Sequence, residues 1–239
     1  MAMTAPNTAA DRPGTLWVVA TPIGNLNDLS SRAVETLRQA AWIACEDTRS
    51  SRPLLERIGC QAQLIPSHEH NEEGAAARIA DLVASGAQVA VISDAGTPAI
   101  SDPGFRAVRE CRRRNLPVCP IPGPCSPIVA LSASGLPSDR FLFTGFLPPK
   151  SAARTRFLEE NKDAQHTLVV LESVHRINKF LDEIVEVLGS DRIVCVAREL
   201  TKLHETMHVG RAAAVRDAVA RGSQKGEFVV LVAKDGFEL

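Results

Sequence analysis

Residues 89–104, with the sequence VAVISDAGTPAISDPG, constrain the fold of this chain most strongly. An apolar strand at residues 89–92 runs directly into a turn that contains two glycines, two prolines and two aspartates. In α/β proteins, small-molecule sites form where a buried strand ends and a stiff loop presents backbone groups at its carboxyl end. This segment therefore predicts an α/β fold with a binding loop after the strand.

The composition of that loop indicates the kind of ligand. Its glycines let the backbone approach a ligand closely, and its prolines stiffen it. Asp94 and Asp102 can accept hydrogen bonds from hydroxyl groups or face a cationic centre. A phosphate cradle instead combines glycines with a Lys and a helix N-terminus free of carboxylates. The loop thus suits a ligand that is cationic or rich in hydroxyls.

The first half of the chain alternates strands with helices. Helical runs of this length between apolar strands predict a mainly parallel sheet with right-handed crossovers. The predicted strands are residues 16–20, 42–46, 64–65, 89–92 and 118–121, and the predicted helices are residues 31–40, 51–58, 72–85 and 103–115.

Residues 120–127 hold four prolines and are too apolar for a solvated linker, so we interpret them as a rigid hinge between domains. The hinge predicts an N-terminal domain at 15–121 and a C-terminal domain at 122–239. In the second domain, short spacings between the late strands favour antiparallel pairs and a mixed sheet. The strands predicted there are 141–146, 167–172, 192–197, 206–209 and 227–233, with helices at 126–134, 151–161, 174–188 and 212–220.

Composition excludes several classes of protein. The chain is 45% apolar, enough for a normal core, but it has only eight Phe, two Trp and no Tyr. RNA-binding platforms that stack bases on exposed aromatics are therefore not expected. The net charge of −1 gives no global sign of a nucleic-acid binder, so any RNA contact must come from local basic patches.

The cysteines and the N-terminus indicate a cytoplasmic protein. Six scattered cysteines lack metal-ligand spacing and a disulfide pattern, and two of them, Cys45 and Cys195, lie in apolar strands as expected for core residues. No apolar run approaches the roughly 20 residues that span a membrane. Residues 1–14 lack the basic start and apolar core of a secretory signal, so we interpret them as a flexible tail. We expect no metal and no membrane contact.

Three loops that bear glycine and proline each follow a predicted strand, at residues 21–25, 93–103 and 122–126. In a parallel sheet these loops would gather at one carboxyl edge and form a single cleft. Neither the dinucleotide pattern GxGxxG nor the P-loop pattern GxxxxGK[ST] occurs in the chain.

Seven sequence blocks, taken in order, resemble the ribosomal RNA small subunit methyltransferase I family, within the tetrapyrrole methylase superfamily. The resemblance covers roughly residues 15 to 233. The blocks are ATPIGNLNDLSSRA (20–33), CEDTRSSRPLL (45–55), SHEHN (67–71), SDAGTPAISDPG (93–104), PIPGP (120–124), SGLPSDRFLFTGFLPPK (134–150) and VARELTKLHE (196–205).

The resemblance implies two α/β domains flanking a cleft that holds S-adenosyl-L-methionine, usually in a homodimer. It implies 2′-O-methylation of a cytidine ribose in 16S ribosomal RNA of the small subunit. Acidic loops without Lys agree with a cationic sulfonium and a ribose that offers two hydroxyls. The cofactor-binding residues expected are Pro22, Ile23, Gly24, Asn25, Ser93, Asp94, Ala95, Gly96, Pro98, Ser101, Asp102, Pro122, Gly123, Pro124 and Ser126.

A ribose hydroxyl is a poor nucleophile, so a side chain should accept its proton. The candidates are Glu46, Asp47, one of the two histidines His68 and His70, and Glu199. By resemblance the block at residues 46–49 handles the substrate, with Arg49 on phosphate. Helix capping or an ion pair with Arg49 is the competing interpretation of Glu46 and Asp47. The expected catalytic residues are Glu46, Asp47, Arg49 and Glu199, and the expected substrate-binding residues are His68, His70, Asn71, Lys150 and Arg198.

Other basic residues and other functions stay open at this point. The segment 150–156, with Arg154, could guide RNA, and the crowded arginines of one helix (Arg106, Arg109, Arg112, Arg113 and Arg114) could bind phosphate or form a solvated face. One alternative function is methylation of a porphyrin or corrinoid precursor. Another is a non-catalytic ribosome factor that binds adenosylmethionine.

Overall fold

The structure, a computed structural model, describes residues 13–223 and 225–239. The chain divides into two compact units, of which the first ends at Pro124 and the second begins at Cys125. Most of the predicted tail lies outside the described residues. Gly14 is buried, and its N–H donates to the carbonyl of Val83 at 2.8 Å.

The first unit contains a five-stranded sheet in the order β3-β2-β4-β1-β5, in which every pairing is parallel, as the alternating pattern predicts. Its strands are β1 Leu16–Val19, β2 Trp42–Cys45, β3 Gln63–Pro66, β4 Val89–Val91 and β5 Val118–Ile121. Its helices are α1 Ser31–Gln39, α2 Thr48–Arg57, α3 Glu72–Ala84 and α4 Phe105–Arg113.

The start of α2 differs from the prediction. The helix begins at Thr48 and not at Ser51, because the Asp47 side chain caps it by accepting the N–H of Arg49 at 2.8 Å. Pro53 therefore lies beyond the first turn. At α1, the side chain of Ser30 provides the cap.

Apolar side chains cover both faces of the first sheet. One core cluster, around Ile79 and Val89, packs α3 and α4 against the strands, and a second, around Leu37 and Ile43, packs α1 and α2. Strand β4 is buried along its whole length. Burial on both faces is typical of a parallel sheet flanked by helices.

The second unit contains a mixed sheet in the order β6-β7-β10-β8-β9. β6 pairs parallel with β7, and the remaining pairings are antiparallel, so the sheet is mixed as predicted; the short spacing accounts for the β8–β9 pair. The strands are β6 Phe141–Phe146, β7 Thr167–Ser173, β8 Ile193–Arg198, β9 Thr206–Arg211 and β10 Glu227–Val232; the helices are α5 Ser126–Ala133, α6 Ser151–Glu160, α7 Ile177–Leu188 and α8 Ala212–Arg221.

Helix α7 buries one apolar face in the core of the second unit. Ile177, Leu181 and Ile184 are buried in the core of the second unit, together with Phe180. The helix begins at Ile177 and not at Val174, because residues 174–176 form a turn. Over residues 13–223 and 225–239, the helices are too short or too polar to cross a membrane.

Candidate functional site

The three loops predicted to converge contact one another at the carboxyl ends of the neighbouring strands β4, β1 and β5. The N–H of Thr21 donates to the carbonyl of Gly96 at 2.8 Å, and the N–H of Gly96 donates back at 3.2 Å. The Thr21 hydroxyl donates to the carbonyl of Ser93, and the Thr97 hydroxyl to that of Pro124 at 2.9 Å. The loops thus form one connected edge of the first sheet, which we call the first edge.

Glycine is required where these loops approach each other. A Cβ at Gly123 would lie 2.9 Å from the Cβ of Ala20, closer than packed atoms allow. Gly96 has a φ of +92°, and a Cβ there would lie 3.2 Å from Cγ2 of Ile23. The sequence pattern of small residues in these loops therefore has a steric cause.

The loop after β4 also holds strained backbone. Ala99 and Ser101 have φ values of 69° and 60°, a region that costs L-residues energy and is concentrated at functional sites. The side chain of Glu72 braces this loop, because its Oε1 accepts the N–H groups of Gly104 at 2.9 Å and Arg106 at 3.1 Å. Sequence reasoning did not find Glu72, which lies 32 residues from Gly104.

The other residues expected to bind the cofactor lie mostly in the same loops. Ser93 is buried and its hydroxyl donates to the carbonyl of Gly96. Asn25 accepts the N–H of Asn27 and caps a short 3₁₀ helix. Pro22, Ile23 and Gly24 follow β1, Ala95, Pro98 and Asp102 follow β4, Pro122 follows β5, and Ser126 begins α5 in the second unit.

Glu46 lies beside further carboxylates at the ends of the neighbouring strands β3, β2 and β4. Burial raises the pKa of the Glu46 carboxyl, and the negative charges of Asp94, Glu69 and Asp47 raise it further, while His68 opposes them. Within the described residues the Glu46 carboxylate forms no hydrogen bond and no ion pair. A carboxylate of this kind has lone pairs available to accept a proton, and its raised pKa makes it a stronger base than an ordinary carboxylate.

Asp47 and Arg49 are engaged with each other. Two guanidinium nitrogens of Arg49 contact the Asp47 carboxylate at 3.1 and 2.9 Å, and this contact lowers the pKa of Asp47 to about 2. Capping and ion pairing, the competing interpretation, thus describe Asp47 in the structure. Ser50, which sequence reasoning missed, donates its hydroxyl to Oδ2 of Asp94 at 3.0 Å and links α2 to the loop after β4.

The loop after β3 is shaped by Asn71. Its Oδ1 accepts the N–H of His68 at 2.8 Å, and its Nδ2 donates to the carbonyl of Pro66 at 3.1 Å. The rings of His68 and His70 meet edge to face with their centroids 6.0 Å apart. Two buried polar atoms here, Oγ of Ser67 and Nδ1 of His68, have no partner within the described part of the chain.

Lys150, Arg198 and Glu199 all belong to the second unit. Arg198 is 9% exposed, and it donates to the carbonyls of Lys225 at 2.7 Å and His204 at 3.0 Å. Its guanidinium therefore holds two loops together through the backbone. Lys150 is exposed at the N-terminus of α6.

Glu199 lies in an ion-pair network. Its Oε1 accepts from Nζ of Lys202 at 2.8 Å and from the N–H of Glu227 at 3.1 Å. Burial raises the pKa of the Glu199 carboxyl, but these hydrogen bonds outweigh it, so the pKa lies below its ordinary value. A carboxylate held in this way is a weak proton acceptor.

The structure corrects the predicted RNA contact of Arg154. Arg154 is 1% exposed in α6, and it forms an ion pair with Glu183 at 2.6 Å. A buried guanidinium cannot guide RNA, so the prediction for segment 150–156 is wrong for Arg154. Its Nη1 donates to the carbonyls of Pro148 at 3.2 Å and Pro149 at 2.8 Å.

The arginines of α4 mostly pair with carboxylates of their own unit, and Arg109 lies over the ring of Phe105. The ion pairs are Arg106 with Glu72 and Glu73, Arg113 and Arg114 with Glu110, and Arg114 with Asp81. This arrangement fits the solvated face better than a phosphate site.

Comparisons with known proteins agree on one family. Residues 15–216 match the sequence model of the family described as tetrapyrrole (corrin/porphyrin) methylases. Ribosomal RNA small subunit methyltransferase I of Xylella fastidiosa (strain Temecula1) is 49% identical over 92% of this chain and 81% of that protein. The protein of the same name from Escherichia coli O157:H7 is 46% identical over 94% and 79%.

Solved structures share the fold at low sequence identity. The uroporphyrin-III-C-methyltransferase from Thermus thermophilus superimposes with a TM-score of 0.63 at 21% identity, over 92% of this chain and 94% of that chain. The methyltransferase CobJ gives a TM-score of 0.69 at 17% identity, over 95% and 96%.

Proposed function

The chain belongs to the tetrapyrrole (corrin/porphyrin) methylase family, and on that premise we propose that it methylates ribosomal RNA of the small subunit. The reaction is the transfer of a methyl group from S-adenosyl-L-methionine to the ribose 2′-hydroxyl of a cytidine in 16S RNA. Relatives 44–49% identical carry the ribosomal RNA name, whereas the solved structures that share the fold are only 17–21% identical. The observation that carries the chemistry is the first edge, where three loops meet beside the unpaired Glu46.

The residues of the first edge fit the methyl donor. The loops at 21–25, 93–104 and 122–124 contain no Lys or Arg, which suits a cationic sulfonium, and Asp94 supplies a nearby negative charge. Close packing at Gly96 and Gly123 leaves main-chain groups uncovered by side chains. We propose that these loops hold the donor, which when bound supplies a methyl group on a positively charged sulfur.

Glu46 is the proposed acceptor of the hydroxyl proton. Asp47 has a pKa of about 2 and is paired with Arg49, and Glu199 is paired with Lys202, so both are poor bases. The pKa of Glu46 is raised instead, which brings its proton affinity closer to that needed near neutral pH.

Arg49 is the proposed contact for the RNA backbone at this site. Its side chain is 90% exposed, and the Asp47 carboxylate fixes its direction while leaving guanidinium donors for a phosphate. The homodimer, which the family resemblance implies, and the cytoplasmic location belong to the same proposal.

The test is transfer of labelled methyl from adenosylmethionine to small subunits from cells that lack the gene. We expect label in a cytidine ribose, and a 10²- to 10⁴-fold lower kcat for Glu46→Gln, roughly the contribution of a general base. Glu56→Gln, which removes an exposed carboxylate from the same α2 region, is the control and should keep full activity.

Two outcomes would contradict the proposal. No labelled ribose with any subunit preparation would overturn it, and methylated uroporphyrinogen would favour the tetrapyrrole alternative. Full activity in Glu46→Gln would leave the methylation in place but remove Glu46 as proton acceptor.

A further inference from the structure

One edge of the second sheet gathers loops from all five strands. β6, β7 and β8 end there, and β9 and β10 begin there, as the pairings Phe146 with Leu171, Glu227 with Ser173 and Phe228 with Arg198 require. We call this the second edge. Neighbouring strands lie about 4.8 Å apart, so the loops after β6 and β7 and before β10 stand side by side.

Three arginines, of which Arg154 and Arg198 are buried and Arg176 is partly exposed, hold these loops through main-chain carbonyls. Arg154 donates to the carbonyls of Pro148 and Pro149, and Arg176 donates to that of Leu147 at 3.2 Å. Arg198 does the same for the carbonyls of His204 and Lys225. Five carbonyls of one edge are thus fixed by three guanidinium groups.

Carboxylates of the second unit balance the charge of this network. Glu183 pairs with Arg154, and Glu172 pairs with Arg176 at 2.8 Å. Near the β8–β9 loop, Lys202 pairs with both Glu199 and Glu227. Each of the carboxylates of Glu172, Glu183, Glu199 and Glu227 thus pairs with a cation of its own unit, although the Glu227 side chain is itself exposed.

The exposed cations of the second edge have no such partners. Lys150 follows β6, and Lys225 precedes β10, and neither ammonium forms an ion pair within residues 13–223 and 225–239. His175, also exposed, follows β7 between them and adds an N–H donor. Three hydrogen-bond donors therefore lie on three adjacent loops, and the arginine–carbonyl contacts described above fix the backbone of these loops.

We propose that the second edge binds the sugar–phosphate backbone of the RNA substrate through Lys150, His175 and Lys225. Arg154, Arg176 and Arg198 are positioning residues that hold these groups at fixed separation. A row of donors on ordered loops suits a polyanion, because the ordering entropy is lost on folding and not on binding. The inference rests on the proposed function, since it takes RNA as the substrate.

The test compares two double variants of the same sheet in binding to small ribosomal subunits. K150Q/K225Q removes two charges from the second edge, and K162Q/K234Q removes two charges from the opposite edge. We expect K150Q/K225Q to weaken binding. The slope of the logarithm of the binding constant against the logarithm of the salt concentration, here called the salt slope, should become less steep by about 0.7 to 0.9 per lost phosphate contact, or about 1.5 in total. K162Q/K234Q should keep the wild-type slope, and adenosylmethionine affinity should be unchanged in both.

A second comparison tests the positioning role. R154M/E183M replaces the buried pair by apolar side chains, which often leaves the free energy of unfolding nearly unchanged. We expect this variant to fold, to keep its affinity for adenosylmethionine and to bind subunits less tightly. Adding K150Q to it should change binding less than K150Q does in the wild type, because Lys150 is no longer held in place.

The outcomes separate this inference from the proposed function. The inference would be overturned, even if methylation is found, by either of two results. One is a wild-type salt slope in K150Q/K225Q, and the other is an equal loss of subunit affinity in the two double variants. Subunit binding with the expected slopes but without methyl transfer would support the inference and overturn the proposed function. If K150Q lowers subunit affinity as much in R154M/E183M as in the wild type, the positioning role of Arg154 is overturned.

Discussion

The loops at the ends of the strands are held together by different kinds of contact in the two sheets. At the first edge, loops are joined largely by main-chain groups of Thr21, Gly96 and Pro124 and packed through glycine. At the second edge, guanidinium groups of Arg154 and Arg198 reach across to hold main-chain carbonyls. The first edge depends mostly on glycines and short hydroxyl side chains, and the second depends on long arginine side chains.

The difference in construction accompanies a difference in charge. The three loops of the first edge carry no basic residue, contain Asp94 and lie beside Glu46, whereas the second edge exposes Lys150 and Lys225. Under the two proposals, the strand ends of one sheet bind a cation and those of the other bind a polyanion. In the proposed reaction these would be the methyl donor and the RNA.

The largest expected effect concerns the side-chain construction of the second edge. Arg154→Met leaves the Glu183 carboxylate buried without its partner, which should lower the free energy of unfolding by about 3–5 kcal/mol. Denaturant unfolding measures this loss. A loss below about 1 kcal/mol would show that the second edge does not depend on this ion pair.

The main-chain construction of the first edge predicts an intermediate effect. Gly96→Ala adds a Cβ to a residue at φ +92° and brings it against Ile23, which should cost about 1–2 kcal/mol in stability and weaken adenosylmethionine binding in calorimetry. Gly74→Ala is the control, because its Cβ meets no atom within 4 Å and it lies in α3. That variant should gain about 0.5–1 kcal/mol, and equal donor affinity in both would contradict the prediction.

The smallest expected effect tests how the charges around Glu46 set its pKa at the first edge. Since Glu46 must be ionised to accept a proton, its raised pKa moves the acid limb of the kcat profile to higher pH. Glu69→Gln removes a like charge and should shift this limb to lower pH, whereas His68→Gln should shift it to higher pH. Both shifts should be under about one pH unit, and shifts of equal sign would rule out Glu46 as the titrating group.

The fold could be predicted largely from local patterns. Apolar runs separated by helix-length segments indicated the parallel first sheet, and short spacings indicated antiparallel pairs in the second. The convergence of the loops after β1, β4 and β5 followed from the topology, because the carboxyl ends of parallel strands share one edge. The start of α2 was misplaced because Asp47 competes with later residues as a helix cap.

Side-chain partners distant in sequence could not be predicted. Nothing local distinguishes the buried Arg154 from exposed arginines, since its partner Glu183 is 29 residues away. Likewise, Ser50 contacts Asp94 across 44 residues. Such pairs depend on the packed arrangement of elements, which a single sequence specifies only through the whole fold.

The carbonyl contacts of the arginines have a consequence for engineering. Every amino acid carries a carbonyl, so the clamps at residues 147–149 and at Lys225 do not depend on the side chains of the residues they hold. A library randomised at positions 150, 175 and 225 should therefore retain the path of these loops while varying what they display. The side chains displayed at these three positions can be exchanged while the backbone of the loops keeps its path.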